Sequence, residues 1–239
     1  KGEYAYKQLF LLSCVPAVAS LLMFVFVRET GEPCEAVKPL QVFRGVKKLD
    51  QRLMLYLAVV FVFTLGNSSN AFLLLKAGGV GFNPPSVVLL YFLYNMVSSV
   101  LAVPFGKRSD RIGRKRLLVA GYLIFALAYA GFAWAPSKAI IVAAFALYGL
   151  FTAMTAGVER AFVSEIAPGE LKGTMLGLHS AIAGIALLPA SVIAGLLWNA
   201  FGSAVPFAVG AILSLVSAII LAFGLPQKER KDGISSPPI

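Results

Sequence analysis

The sequence predicts an all-α integral membrane protein with seven transmembrane helices, and three observations carry that prediction. The 239-residue chain is 59% hydrophobic and only 13% charged, with a mean hydropathy of +0.83. Soluble domains run nearer roughly 45–50% apolar and about 25% charged. Seven stretches, residues 8–27, 53–75, 85–105, 117–135, 139–158, 173–198 and 204–225, are apolar enough to be spans. A span needs roughly 20 apolar residues to cross about 30 Å of hydrocarbon. Third, the cations gather in alternate connections between these stretches. A soluble domain of this composition would expose more apolar surface than its core could hide, so the lipid bilayer is the solvent. Backbone groups in lipid must be satisfied within each segment, and the alternation of a barrel is absent, so the spans are helices.

The first stretch, 8–27, is preceded only by Lys1 and Lys7 and followed by no small-residue cleavage site. It therefore reads as a span and not a signal peptide. Cys14 falls inside it and Cys34 in the polar linker, which gives neither a disulfide framework nor a metal spacing. The linker, 28–52, is the longest internal polar segment and separates one span from six. A chain so arranged, opening abruptly on KGEYAYKQLF, is expected to start partway through a longer protein.

In the second stretch, GNSSN (Gly66–Asn70) puts five non-apolar residues in a row and invites a break in the helix. The third carries Tyr91, Asn95 and Ser98. Tyr148, Thr152, Thr155 and Glu159 follow one another along the fifth at intervals of four, three and four. At helical pitch they share an arc of about 60°. The sixth holds the only histidine, His179, with four glycines and Pro189, which suggests a kink; its Gly173-x-x-x-Gly177 permits close helix contact.

Orientation follows from the connections. If the linker is cytoplasmic, 17 Lys and Arg lie inside and four outside, namely Lys1, Lys7, Lys76 and Lys138. The opposite arrangement inverts that ratio, so the positive-inside rule sets residue 1 outside and the C-terminus in the cytoplasm. Trp134 and Trp198 then sit at outer helix ends, where amphipathic indoles belong. The formal charge of +10 is thereby explained by topology, and no nucleic-acid partner is expected.

One cytoplasmic connection, GKRSDRIGRKR (106–116), holds six cations and one acid. Gly106 and Gly113 read as permitting a tight turn between helix ends. Asp110 suits a helix N-terminus, and Arg111 and Arg114 can clamp a carboxylate in two-pronged fashion. Glu165 is the acceptor that topology brings near. The bland alternative is that these cations only obey the positive-inside rule, which leaves the two glycines and the acid unexplained.

The string resembles the G-x-L-[A/S]-D-[R/K]-x-G-[R/K]-[R/K] loop of the major facilitator superfamily. Gly106, Ser109, Asp110, Arg111, Gly113, Arg114 and Lys115 match, and Arg108 replaces the usual Leu. EIAPGELKG (Glu165–Gly173) is similar to the family's E-x-x-P-x-x-x-R-G loop, with Lys172 in place of Arg. The resemblance implies one helix plus a six-helix half of a twelve-helix carrier. Residues 1–27 would be the sixth helix, 28–52 the central cytoplasmic loop, 53–225 the C-terminal half and 226–239 a cytoplasmic tail. The partners it implies are a small-molecule substrate and an N-terminal half with five further helices. Location would be a cell membrane, of the bacterial cytoplasmic kind, with no cofactor and no metal.

By the same resemblance the first and fourth helices of the half line a central cavity, in which GNSSN and the Tyr148 stripe would stand. The candidate substrate-facing residues are Asn67, Ser68, Asn70, Asn95, Tyr148, Thr152 and Thr155. The alternative is that the hydroxyls bond to their own helix carbonyls and the amides join helices. Glu159 and His179 are the candidates for proton linkage, since polar ionisable groups near membrane depth are costly and usually functional. Contacts at Gly106, Asp110, Arg111, Gly113, Arg114 and Glu165 would latch the cytoplasmic side. The function implied is alternating-access secondary transport; a seven-helix receptor or an inactive transporter fragment is the alternative. An enzyme is not expected, because one histidine and no carboxylate cluster offer little acid–base or metal chemistry.

Overall fold

The computed structural model describes residues 51–225 continuously, together with Cys14, Pro16, Val18, Leu22 and Met23, which are helical. The expected span at 8–27 therefore lies outside the described residues except at those five. Nearly all of the 28–52 linker and the 226–239 tail lie outside them too. The chain divides into two units, residues 1–41 and 42–239; everything below concerns the second.

Among the described residues that unit consists of helices joined by short turns. In order it comprises α1 (Gln51–Gly66), α2 (Asn70–Gly79), α3 (Pro84–Ile112), α4 (Arg114–Ala133) and α5 (Lys138–Ile166). A 3-10 turn (Gly169–Leu171) then leads into α6 (Lys172–Phe201) and α7 (Val205–Gly224). Counting α1 and α2 as one interrupted span, six helices among the described residues are long and apolar enough to cross a membrane.

Local chemistry explains the boundaries. Asn83 caps α3, its Oδ1 accepting from the Ser86 amide at 3.0 Å. Pro84 and Pro85 occupy the first turn, where a missing N–H costs nothing. α3 and α5 each run to 29 residues, about 43 Å at helical rise, well beyond a hydrocarbon core of about 30 Å. The connection expected over 106–116 consequently contracts to one residue. Residues 106–112 are helical, because Lys, Arg and Ser do not break a helix that has left the lipid. Gly113 alone makes the turn, at φ +94°, a region that only glycine enters at little cost. Gly106 lies inside α3 with open space around its Cα, so it is not a turn residue.

The packed side of the bundle is aromatic. Phe63 of α1 stacks on Tyr122 of α4 at 4.1 Å, Phe125 on Tyr129 at 4.0 Å, and Phe132 meets Phe145 of α5 edge-on at 5.2 Å. Helices approach closely at glycines. A Cβ on Gly149 would lie 2.6 Å from the Tyr94 carbonyl oxygen, and one on Gly210 only 2.5 Å from that of Gly66. Without a hydrophobic drive between helices in lipid, such close approach is how spans gain packing energy. α3 and α6 are different. On α3 only Leu90 and Ser109 are buried. The close contact that Gly173 and Gly177 permit is not made among the described residues, where nothing stands within 4 Å of a Cβ at either. Both glycines lie where α6 faces away from the other helices described.

Candidate functional site

The first span breaks where its polar run falls. Asn67, Ser68 and Ser69 leave helical geometry. The Asn67 amide closes α1 by donating to the carbonyls of Phe63 and Thr64 at 3.1 and 3.0 Å. Ser69 opens α2, its Oγ accepting from the Ala71 amide at 3.3 Å. A broken helix at membrane depth must have its freed backbone groups re-satisfied, and these caps do so for the Asn67 and Ala71 amides.

The break turns two amides into the bundle. Tyr148 donates from its hydroxyl to Asn70 Oδ1 at 2.8 Å. Asn67 Oδ1 lies 3.4 Å from the hydroxyls of both Tyr129 and Tyr148. A cavity of about 520 Å³ opens beside them, bounded by residues 67–70, Tyr148 and the Gly184, Leu187 and Ser191 side of α6. A second, of about 380 Å³, shares Asn67, Tyr148 and Gly184 and passes Tyr94, Thr152 and Thr155 to reach Glu159. No charged side chain lines the first; Glu159 alone brings charge to the second.

The hydroxyls of Thr152 and Thr155 donate to the carbonyls of Tyr148 and Phe151 in their own helix, each at 3.0 Å. Both nonetheless edge the second cavity, although Thr155 is only 3% exposed and sets its methyl toward Gly121 of α4. Asn95 is apart from both cavities, its amide donating to the Tyr91 carbonyl at 2.8 Å.

At the far end of the second cavity the two ionisable candidates meet. Glu159 Oε1 accepts from the Tyr122 hydroxyl at 3.3 Å, and Oε2 lies 3.8 Å from His179 Nε2. That second separation is too long for a hydrogen bond, and His179 Nε2 and the Tyr56 hydroxyl are buried with no hydrogen-bond partner among the described residues. The Tyr56 ring lies parallel to the imidazole at 6.1 Å. Four helices thus converge on one carboxylate.

The basic turn is organised around Arg114. Its guanidinium reaches Asp110 at 3.2 Å, Glu165 at 3.3 Å and the Ala161 carbonyl at 2.8 Å. Asp110 and Glu165 remain largely in solvent, at 66% and 53% side-chain exposure, so these pairs are modest contributors to stability. Arg111 stands exposed and joins no ion pair among the described residues. Ser109, buried, donates to the Gly106 carbonyl at 2.6 Å. Lys115 reaches the opposite helix end, donating to the carbonyls of Ala222 and Leu225, and so satisfies the last turn of α7.

Several of these participants escape a reading of the sequence. Tyr56, Tyr94, Tyr122 and Tyr129 look there like further apolar filling, and the α6 lining of Gly184, Leu187 and Ser191 has no motif. The available signal was tyrosine in place of phenylalanine within spans, since a hydroxyl at depth needs a partner.

Among the described residues, six apolar helices surround a concave amide-and-phenol surface and are tied at one end by a basic turn, the architecture of a polytopic helical membrane protein. Its sequence matches the Major Facilitator Superfamily over residues 55–238, and the chain belongs to that family. Membership makes it a transporter-family protein and not a catalytic enzyme. It is 33% identical over 227 residues to an uncharacterised MFS-type transporter of Methanocaldococcus jannaschii, covering 92% of this chain and 56% of that one. It is 32% identical to the class C tetracycline resistance protein of Escherichia coli, over 60% of this chain and 35% of that protein. A shorter match, 41% identical over 75 residues, is to the multidrug efflux pump LfrA of Mycolicibacterium smegmatis, covering 30% of this chain and 15% of the pump. The chain thus spans about half, or less, of the length of these relatives.

Proposed function

We propose that this chain is the sixth-to-twelfth-helix portion of a secondary carrier that moves a small solute by alternating access, with proton linkage at Glu159 and His179. The complete carrier includes an N-terminal half. It sits in a bacterial-type cytoplasmic membrane, with residue 1 outside and the C-terminus inside. One observation carries the reading: the helix break at 67–69 presents Asn67 and Asn70 to Tyr148 beside a cavity without charge. Discontinuous helices at the bilayer midplane are how carriers expose polar groups to a solute. The solute is neutral or amphipathic, because the walls of the first cavity are a phenol, amides, hydroxyls and aliphatic groups, and the second adds as charge only the Glu159 carboxylate at its far end. Relatives named for tetracycline resistance and multidrug efflux support export as the direction. Asp110, Arg111, Arg114 and Glu165, with the Gly113 turn and Gly106, form the cytoplasmic latch of the cycle.

Cysteine placed at Thr152, in a carrier whose Cys14 and Cys34 are serine, tests the cavity. A water-soluble maleimide should label it, and transported solute should protect it. Absence of labelling in every state would overturn the reading. Glu159→Gln should leave solute binding intact while removing the dependence of transport on pH; an unchanged pH profile removes the proton linkage from the proposal.

A further inference from the structure

The Glu159 end of the second cavity holds more polar groups than its hydrogen bonds account for. His179 Nε2 and the Tyr56 hydroxyl reach it from α6 and α1, on side chains of residues 6% and 0% exposed. Neither has a hydrogen-bond partner among the described residues. A polar group left unpaired in a dry interior is costly, and at membrane depth there is no bulk water to relieve it. Glu159 Oε2 stands 3.8 Å from the imidazole nitrogen. That is too far for a direct hydrogen bond, yet one water beside the gap can make a normal hydrogen bond to each.

The neighbouring side chains are placed to hold such a molecule. Tyr122 of α4 donates to Glu159 Oε1 at 3.3 Å and so leaves Oε2 to the imidazole. The Tyr56 ring meets Phe162 edge-on at 4.9 Å and lies parallel to the imidazole at 6.1 Å. The other ionisable groups near the pair are few. Arg160, next to Glu159 on α5 and exposed, lends both a positive field. Tyr94 of α3 stands farther along the cavity against Tyr148, and α7 carries no ionisable side chain.

We propose that Glu159 and His179 form one proton-holding unit, joined by a bound water that the Tyr56 hydroxyl positions. With Glu159 protonated, the water accepts from its carboxyl and from Tyr56 and donates to His179 Nε2. Three partners lie within the two to four that a buried water needs. On transfer, the carboxyl proton passes to the water and a water proton passes to Nε2. Carboxylate and imidazolium result, and the water, unchanged in composition, now donates to Oε2 and accepts from Nε2. Tyr56 donates to it in both states and is a positioning residue, as is Tyr122 on the other carboxylate oxygen. The place of this unit in transport rests on the proton linkage proposed above, but the unit itself can be read without transport.

His179 is the only histidine of the chain, so isotope-labelled histidine gives a single imidazole signal, followed by NMR against pH in the full chain in nanodiscs. A pair that shares its protons titrates in two steps, and Glu159→Gln should leave one. Tyr56→Phe should keep both steps and change the proton affinity of the pair about fivefold, the worth of one neutral hydrogen bond. An infrared water band that moves in heavy-oxygen water should be present in the unaltered chain and lost in Tyr56→Phe. A one-step titration that Glu159→Gln leaves unchanged overturns the unit. Absence of the band in the unaltered chain overturns the water, a result that needs no variant to fold. A Tyr56→Phe curve that superimposes on the parent overturns the positioning role. If the pair titrates in two steps while Glu159→Gln leaves the pH profile of transport unchanged, the proton linkage of transport fails and the unit stands.

Discussion

The packed side of the bundle, where α4, α5 and α7 meet α1, and the open side, formed by α3 and α6, use the same residue for opposite ends. On the packed side glycine marks where two backbones touch. A Cβ at Gly210 would collide with the Gly66 carbonyl and the Tyr129 ring, and one at Gly121 would lie 2.6 Å from Thr155. On the open side Gly173, Gly177 and Gly184 meet nothing within 4 Å among the described residues, and there glycine leaves room. Gly184 borders both cavities. A glycine in a span therefore signals either contact or space, and only its neighbours decide which.

This difference breaks down if the wrong substitutions hurt. The largest effect is expected at Gly210→Ala, which drives a methyl group against backbone and a buried ring. Overpacking of this kind costs about 1–3 kcal/mol, read as a lowered thermal midpoint of the full chain in detergent. Next comes Tyr148→Phe, on the seam between the two sides. It removes the hydroxyl from Asn70 and should cost about 1 kcal/mol, with weaker solute protection of a cysteine at Thr152. Smallest is Gly177→Ala, expected to be neutral or to stabilise by about 0.5–1 kcal/mol through helix propensity. A loss there as large as at Gly210 would show that α6 is packed after all.

Much of the architecture was legible because lipid enforces it. The spans from residue 53 onward follow from apolar length, and the break followed from five polar residues that no bilayer helix tolerates comfortably. Helix ends were less legible, because hydropathy locates the edge of the lipid and not the end of the helix. α3 and α5 continue as helix past that edge, which is why the basic connection shrank to Gly113. At the candidate site, Asn67, Asn70 and Tyr148 were named from the chain and stand together. Glu159 and His179 were named separately, and only the crossing of α5 and α6 brings them to 3.8 Å. Tyr56 and Tyr122 were not named, since no spacing within one helix announces a partner on another.

The single-residue turn at Gly113 also bears on how the molecule meets a protease. Residues 107–116 offer trypsin six cleavable bonds, the densest run in the described region. Proteases require several residues in extended form, and here helix occupies both sides of one glycine. Arg114 holds α5 and Lys115 holds the end of α7, so the strand cannot peel away without releasing two other helices. The most cation-rich string among the described residues is therefore expected to resist trypsin, as limited proteolysis would read.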